Sequence, residues 1–262
     1  MGTIVKPPGP DAMAAVLKTP GEIDLMDRAN RIVHQVLDAV GERMIPGVKT
    51  RELDHLAERI IRDAGGVPAF LRYRGYPATL CISVNDVIVH GIPGENPLQE
   101  GDIVGIDCGV FYKGYCGDAA RTFAVGRVSD EAKRLLRVTE EALKLGVAQV
   151  RPGGRVEDIG SAVQRHAESH GYSVVREFTG HGVGTSLHED PQVPNFGSPG
   201  KGPKLKPGMV LAIEPMVNAG APGVKMDPDG WTARTEDGSL SAHFEYSVAV
   251  TPSGARVLGI QI

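Results

Sequence analysis

No apolar run in this 262-residue chain is long enough to span a bilayer, which argues against a membrane-embedded protein. Cysteine is scarce as well. Cys81, Cys108 and Cys116 form an odd set without framework spacing, so a disulfide-stapled secreted domain is disfavoured and a reducing cytoplasm expected. There is no long basic stripe: the formal charge is −4, and only Lys201 to Lys206 makes a short basic cluster, so no specific nucleic-acid partner is expected. The start lacks a signal-peptide pattern, and Met1-Gly2 is not followed by the Ser or Thr that myristoylation requires, because Lys6 stands there. The glycines around His181 have no Walker lysine beside them, which leaves a phosphate-loop reading weak.

The hydrophobic content of 41% suffices for a sizeable core, and the length suits one large domain or two small ones. Residues 1–18 are rich in Pro and Gly and show no steady period. Thr19-Pro20-Gly21-Glu22 then reads as a capping box, followed by Leu25, Ala29, Ile32, Val33, Val36 and Val40 at helical spacing. Ile45-Pro46-Gly47 breaks this helix. Thr50 is placed to cap a second helix, whose stripe runs from Leu53 to Ala64 and stops at Gly65-Gly66. The same grammar returns later: Ser129 caps a helix, Pro152-Gly153 breaks it, and a further helix ends at Gly171. Pro46 to Pro152 and Gly65 to Gly171 share one interval of 106 residues. His34, His55, His166 and His170 fall on these helices and are read as surface or core residues outside the chemistry.

The strands repeat too. Gly101 to Asp107 matches Gly208 to Glu214, acid on acid at an interval of 107. Asp107 interrupts an apolar strand, where an ionised carboxylate is costly without a cation or donor. A hairpin through Lys113-Gly114 lays Asp118 beside it. On the strand from Ala242 to Val250, His243 and Glu245 share a face by period two, and Glu245 becomes the second-half counterpart of Asp118. Two copies of helix–helix–strand–strand therefore suggest one domain with an internal pseudo-two-fold. Like charges facing across such an axis need a metal or shared protons. His90 and His188, each followed three residues later by Pro, add one imidazole per half, and His181 lies among glycines that suit close backbone approach.

Taken together, these stretches resemble the type I methionine aminopeptidases. The matching segments are Cys81 to Pro93, Asp107 to Asp118, Phe178 to Gly184, Leu187 to Pro191, Ile213 to Pro215, and Asp229 to Trp231 leading to Phe244-Glu245. The resemblance implies an α+β pita-bread fold, a curved antiparallel sheet flanked by two helix pairs, with residues 1–20 as an extension and 21–262 as one catalytic domain. It implies two divalent ions (Co, Mn, Fe or Zn) held by Asp107, Asp118, His181, Glu214 and Glu245. In that set Asp118 and Glu245 bridge, Asp107 holds one ion, and His181 with Glu214 holds the other. Four carboxylates and one imidazole, with no thiolate, suit such ions. His90, His188 and Glu214 become the catalytic groups: Glu214 shuttles a proton, His188 donates to the oxyanion, and His90 donates to the scissile amide. Phe70, Tyr73, Tyr76, Cys81, Leu187 and Trp231, with the two histidines, become the walls for the first side chain. Many bacterial relatives carry Cys at the position of Phe70 and Phe at that of Leu187. Cys81 is read as a packing thiol, and Asn85 and Asp86 as neighbours of the substrate path.

The implied substrates are N-termini of nascent polypeptides, cleaved after Met when the second residue is small. The resemblance allows a ribosomal partner and implies a monomer. Three competing readings follow from the same residues. A Xaa-Pro aminopeptidase or prolidase shares the metal set but usually carries an extra N-terminal domain, for which the helix beginning near residue 20 leaves no room. A non-enzymatic peptide binder would be expected to have lost ligands, and a phosphate-binding protein needs the lysine that is missing.

Overall fold

The computed structural model describes residues 15–260; the greater part of the expected N-terminal extension, including Met1-Gly2, lies outside the described residues. Helix α1 (Pro20–Gly41) begins at the capping box read from the sequence. The Glu22 amide donates to the Thr19 hydroxyl at 3.4 Å, and the Thr19 amide donates back to the Glu22 carboxylate at 2.7 Å. The helix stops before Pro46, at Gly41, where a Cβ would lie 2.6 Å from the Phe123 ring. Helix α2 (Thr50–Asp63) starts differently from expectation: Lys49 is the cap residue and Thr50 the first helical one. The Thr50 hydroxyl accepts the Gly94 amide at 2.8 Å instead, tying the helix start to a loop.

In the second half, Ser129 caps α3 (Asp130–Val147), its hydroxyl accepting from the Ala132 amide at 3.1 Å, and α4 (Val156–Ser169) follows. The repeat extends to fine detail. Gly65 and Gly171 both have positive φ after their helices, and isolated bridges join Lys49 to Pro97 and Arg155 to Lys204. Val67–Pro68 pairs with the strand Ile103–Tyr112, as Ser173–Val174 pairs with Met216–Asn218. Among the described residues all strand pairs are antiparallel.

Each half buries its helix pair on its own strands. Val33, Val36, Leu37, Leu53 and Ile61 pack on Ile82, Val104 and Ile106, while Leu135, Val138, Leu143, Ile159 and Val163 pack on Leu211, Ile213 and Val248. The halves meet along a seam between the strand Tyr115–Ala124 and residues 243–247. There the Glu245 amide donates to Ala120 O at 2.9 Å, Ser247 Oγ donates to Asp118 O at 2.8 Å, and the His243 amide donates to Thr122 Oγ1 at 3.0 Å. The segment before α1 belongs to the packed body. Lys18 is buried in an ion pair with Glu189, and its amide donates to Gly208 O at 2.7 Å. Among the described residues no helix is long and apolar enough to cross a membrane.

Candidate active site

Asp107 and Asp118 lie on the hairpin Ile103–Tyr112/Tyr115–Ala124, closed by Lys113 (φ 49°) and Gly114 (φ 84°). Two successive left-handed residues give the turn whose twist suits a tight hairpin. Its register sets Asp107 opposite Ala120 and Asp118 opposite Gly109, so both carboxylates project from one face, diagonally across the pair. Asn30 on α1 steadies Asp118, its side-chain oxygen accepting the Asp118 amide at 3.2 Å. Glu214 and Glu245 come from the corresponding places in the second half, each at a break in its strand. The strands there are Val210–Ile213 and Met216–Asn218 around Glu214-Pro215, and Ser241–His243 and Tyr246–Thr251 around Phe244-Glu245.

His181 stands on the short strand Gly180–Gly182, opposite Ala212. A Cβ on Gly180 would lie 2.3 Å from Ala212 O and one on Gly182 2.3 Å from Asp190 O, so the flanking glycines permit the close packing that their sequence suggested. His181 Nδ1 lies 2.8 Å from Gly182 O; a carbonyl only accepts, so Nδ1 carries the proton and Nε2 keeps its lone pair. That Nε2 lies 3.4 Å from Glu214 Oε1 and 3.9 Å from Asp118 Oδ2. One ligand atom each from Asp118, His181 and Glu245 lies within 4.8 Å of the other two.

The electrostatics of this cluster are unbalanced. Asp107 Oδ1, Asp118 Oδ1 and Glu245 Oε1 are buried without a hydrogen-bond partner. Burial, with Glu214 adding repulsion and His243 opposing it, raises the Asp107 carboxyl to about 7. Burial likewise raises Glu214 to about 7 against the pull of His181. Asp118 and Glu245 are pushed well above the carboxylate range by burial and by their acidic neighbours. Native proteins seldom leave so many buried oxygens orphaned, and a missing cation is the ordinary reason. The donor set fits a divalent metal centre.

His90 and His188 stand beside the acids. His90 adopts φ 61°, unusual for a residue with a Cβ, and its ring meets Phe178 and Trp231 edge-on at 5.3 and 6.5 Å. Burial and the neighbouring His243 hold it down at about 4, so it is neutral near pH 7. His188 is exposed at the rim, 4.3 Å from the His181 ring, with Nδ1 2.9 Å from the Tyr73 hydroxyl. Desolvation of its ring, with His181, Arg74 and His90 nearby, lowers it below the ordinary imidazole value.

Phe70, Tyr76, Cys81 and Leu187 are buried in one apolar cluster, with Tyr73 and Trp231 packed against it, separate from both helix–sheet cores. Tyr76 donates its hydroxyl to Leu80 O and Gly91 O, which pins the ring edge-on to Trp231 at 5.1 Å. Cys81 sits opposite Asp107, and burial pushes its thiol far up, as a packing role requires. Asn85 Nδ2 donates to Asp102 Oδ1, and Asp86 Oδ1 accepts from Arg234 Nη1 on the strand Ala233–Thr235.

The sequence reading gave His243 no role, yet its buried Nε2 lies 3.6 Å from Glu214 Oε2 and has no hydrogen-bond partner. Its position two residues before Glu245 was the available sign. Asn30 and Ser247 were also missed, because their contacts to Asp118 span 88 and 129 residues. An open hollow lined by Asp27, Arg31, Val147 and Arg256 shares no residue with the acid cluster.

Comparison with known proteins agrees with this geometry. Metallopeptidase family M24 matches residues 24–252. A methionine aminopeptidase of Clostridium perfringens is 51% identical over 93% of this chain and 98% of its own. The crystal structure of a methionine aminopeptidase from Thermotoga maritima superposes with a TM-score of 0.93 at 43% identity, covering 95% of this chain and all of that one. A prolidase from Pyrococcus furiosus shares the fold at a TM-score of 0.78 and 25% identity, but this chain covers only 66% of it. Acids supplied by two repeated halves, in a chain similar over nearly its whole length to methionine aminopeptidases, leave one assignment: the chain belongs to metallopeptidase family M24, among its methionine aminopeptidases.

Proposed function

We propose that the chain removes the N-terminal methionine from polypeptides, nascent ones included, whose second residue is small, and that it does so with two divalent ions. Asp107, Asp118, His181, Glu214 and Glu245 would hold them. When bound, such ions acidify a water and polarise the scissile carbonyl. The observation that carries this reading is the set of orphaned carboxylate oxygens on Asp107, Asp118 and Glu245 beside His181 Nε2.

The chain's own groups divide the remaining work. Glu214 holds and passes a proton between the attacking water and the leaving amine. His188, accepting at Nδ1 from the Tyr73 hydroxyl, keeps its proton on Nε2 and donates it as a hydrogen bond to the developing oxyanion. His90, neutral and wedged against Phe178 and Trp231, donates to the scissile amide. The cluster of Phe70, Tyr73, Tyr76, Cys81, Leu187 and Trp231 takes the methionine side chain, whose flexible thioether suits aromatic walls. Its Phe70 and Leu187 keep the wall apolar where many bacterial relatives carry Cys and Phe. A side chain at the second position would lie against His90, which favours Gly, Ala or Ser there.

Peptides varied at the first two positions test this reading. Met-Gly and Met-Ala peptides should be cleaved, Met-Leu, Met-Arg and Met-Glu scarcely. Norleucine should replace Met at a cost of about 1–3 kcal/mol at most. Equal rates for Met-Gly and Met-Arg would overturn the second-residue clash, and cleavage of Xaa-Pro peptides alone would point to the prolidase reading.

A further inference from the structure

The second half carries another convergence of metal-ligating side chains, away from the acid cluster. His166 lies in the last turn of α4 and His170 is the residue that caps that helix, so their imidazoles stand one turn apart on one face. Their ring centroids are 4.5 Å apart. From the neighbouring α3, Glu141 reaches across and brings Oε2 to 3.0 Å from His166 Nε2. One ligand atom from each of the three residues lies within 4.8 Å of the other two.

The surroundings prepare these atoms. His170 Nδ1 lies 2.9 Å from His166 O, and because a carbonyl only accepts, the proton sits on Nδ1 and Nε2 is left as a lone-pair donor. The other oxygen of Glu141 accepts from Arg137 Nη1 at 3.1 Å, which fixes the carboxylate and leaves Oε2 facing His166. Arg134 is turned to the backbone, donating to His170 O at 2.7 Å. The C-terminal end of α4 also carries the negative end of the helix dipole, which favours a cation. All three ligand residues are partly buried, with side-chain exposures of 18% for His166 and 38% for Glu141. Among the described residues the first half shows no such cluster: at the same interval of 106 residues, Ile60 of α2 and its cap residue Ala64 stand in place of the histidines.

We propose that Glu141, His166 and His170 form a peripheral site for a zinc-class divalent ion that clamps α3 to α4, separate from the catalytic centre. Two imidazoles and one carboxylate suit zinc and its borderline neighbours, whereas magnesium and calcium want oxygen donors throughout. Three protein ligands leave a fourth position for water.

Zinc binding by metal-stripped full-length protein tests the site. Wild type, H166A, H170A, E141Q and, as a control, the exposed-histidine variant H55A are dialysed against buffered zinc, and bound zinc per chain is measured. Wild type and H55A should hold one equivalent more than the other three variants, while peptide turnover is the same in all five. Magnesium in place of zinc should not fill the extra position. Backbone hydrogen exchange in α3 and α4 should slow with zinc in wild type and not in H166A. Equal zinc in wild type and H166A would overturn the proposal. So would an extra equivalent that survives E141Q, because the ion would then be held by one helix and clamp nothing.

Discussion

The two halves of the molecule carry their acids in different ways. In the first half Asp107 and Asp118 sit inside continuous strands of ten residues each. In the second half the corresponding strands are broken at Glu214 and Glu245. A short side chain thus stands on regular backbone, and a longer one where Pro215, unable to donate to a ladder, interrupts it. The extra methylene of Glu lets the carboxylate reach the centre from a backbone that has left its strand. The imidazole is likewise one-sided. His181 pairs with Ala212, and at the related place in the first half Ser83 pairs with Gly105. Pseudo-symmetry therefore supplies the arrangement of acids, and departures from it make the two sides of the acid cluster chemically unlike.

Substitution at Glu214 should break the comparison most severely. Glu214→Gln removes both a proposed ligand charge and the proposed proton carrier, and turnover at saturating divalent ion should fall roughly 10²–10⁴-fold. Steady-state kinetics on a Met-Gly peptide reads it; near-normal turnover would remove Glu214 from proton transfer. His188→Ala and His90→Ala should each lower turnover by about 10²–10³ while bound metal, measured by elemental analysis, stays at the wild-type level. Loss of an ion from either variant would place that histidine among the ligands.

Much of this was legible beforehand because it is local or repeated. The capping box at Thr19, the turn at Lys113-Gly114 and the intervals of 106 and 107 residues are written in adjacent letters. The strand break at Glu245 was not, since Ala242 to Val250 reads as one strand. Nor was the choice of Lys49 over Thr50 as cap, which depends on Gly94, a distant loop residue. His243 escaped for the same reason: its neighbour in space, Glu214, lies in the break between two other strands.

A gentler change sharpens the contrast. Gly117 precedes Asp118 where Phe244 precedes Glu245, and a Cβ at Gly117 would lie 2.5 Å from the backbone nitrogen of Asn30. Gly117→Ala should force α1 away from its strand and destabilise the protein by about 1–3 kcal/mol, seen as a lower urea midpoint. An unchanged midpoint would mean that α1 yields freely there.

The smallest effect concerns pH. In the metal-free protein Asp107 and Glu214 are raised to about 7, above their ordinary values of 3.8 and 4.5. The folded state then binds more protons than the unfolded one between about pH 4 and 7, so stability should fall as pH rises through that window. Urea midpoints with a chelator should be lower at pH 7.5 than at pH 5, and a divalent ion should abolish or reverse the slope. A chelated protein that gains stability over this range would show that these acids are already neutralised by other groups.

The seam also has a consequence for the timing of biosynthesis. The carbonyl of Asp118 is met by the hydroxyl of Ser247, 129 residues later in the chain. At about 5–20 residues per second, a ribosome needs roughly 6 to 26 s to make that stretch. During that interval the two aspartates await first His181, then Glu214 and last Glu245. An emerging chain therefore lacks the full proposed set of ligands until Glu245 has left the exit tunnel.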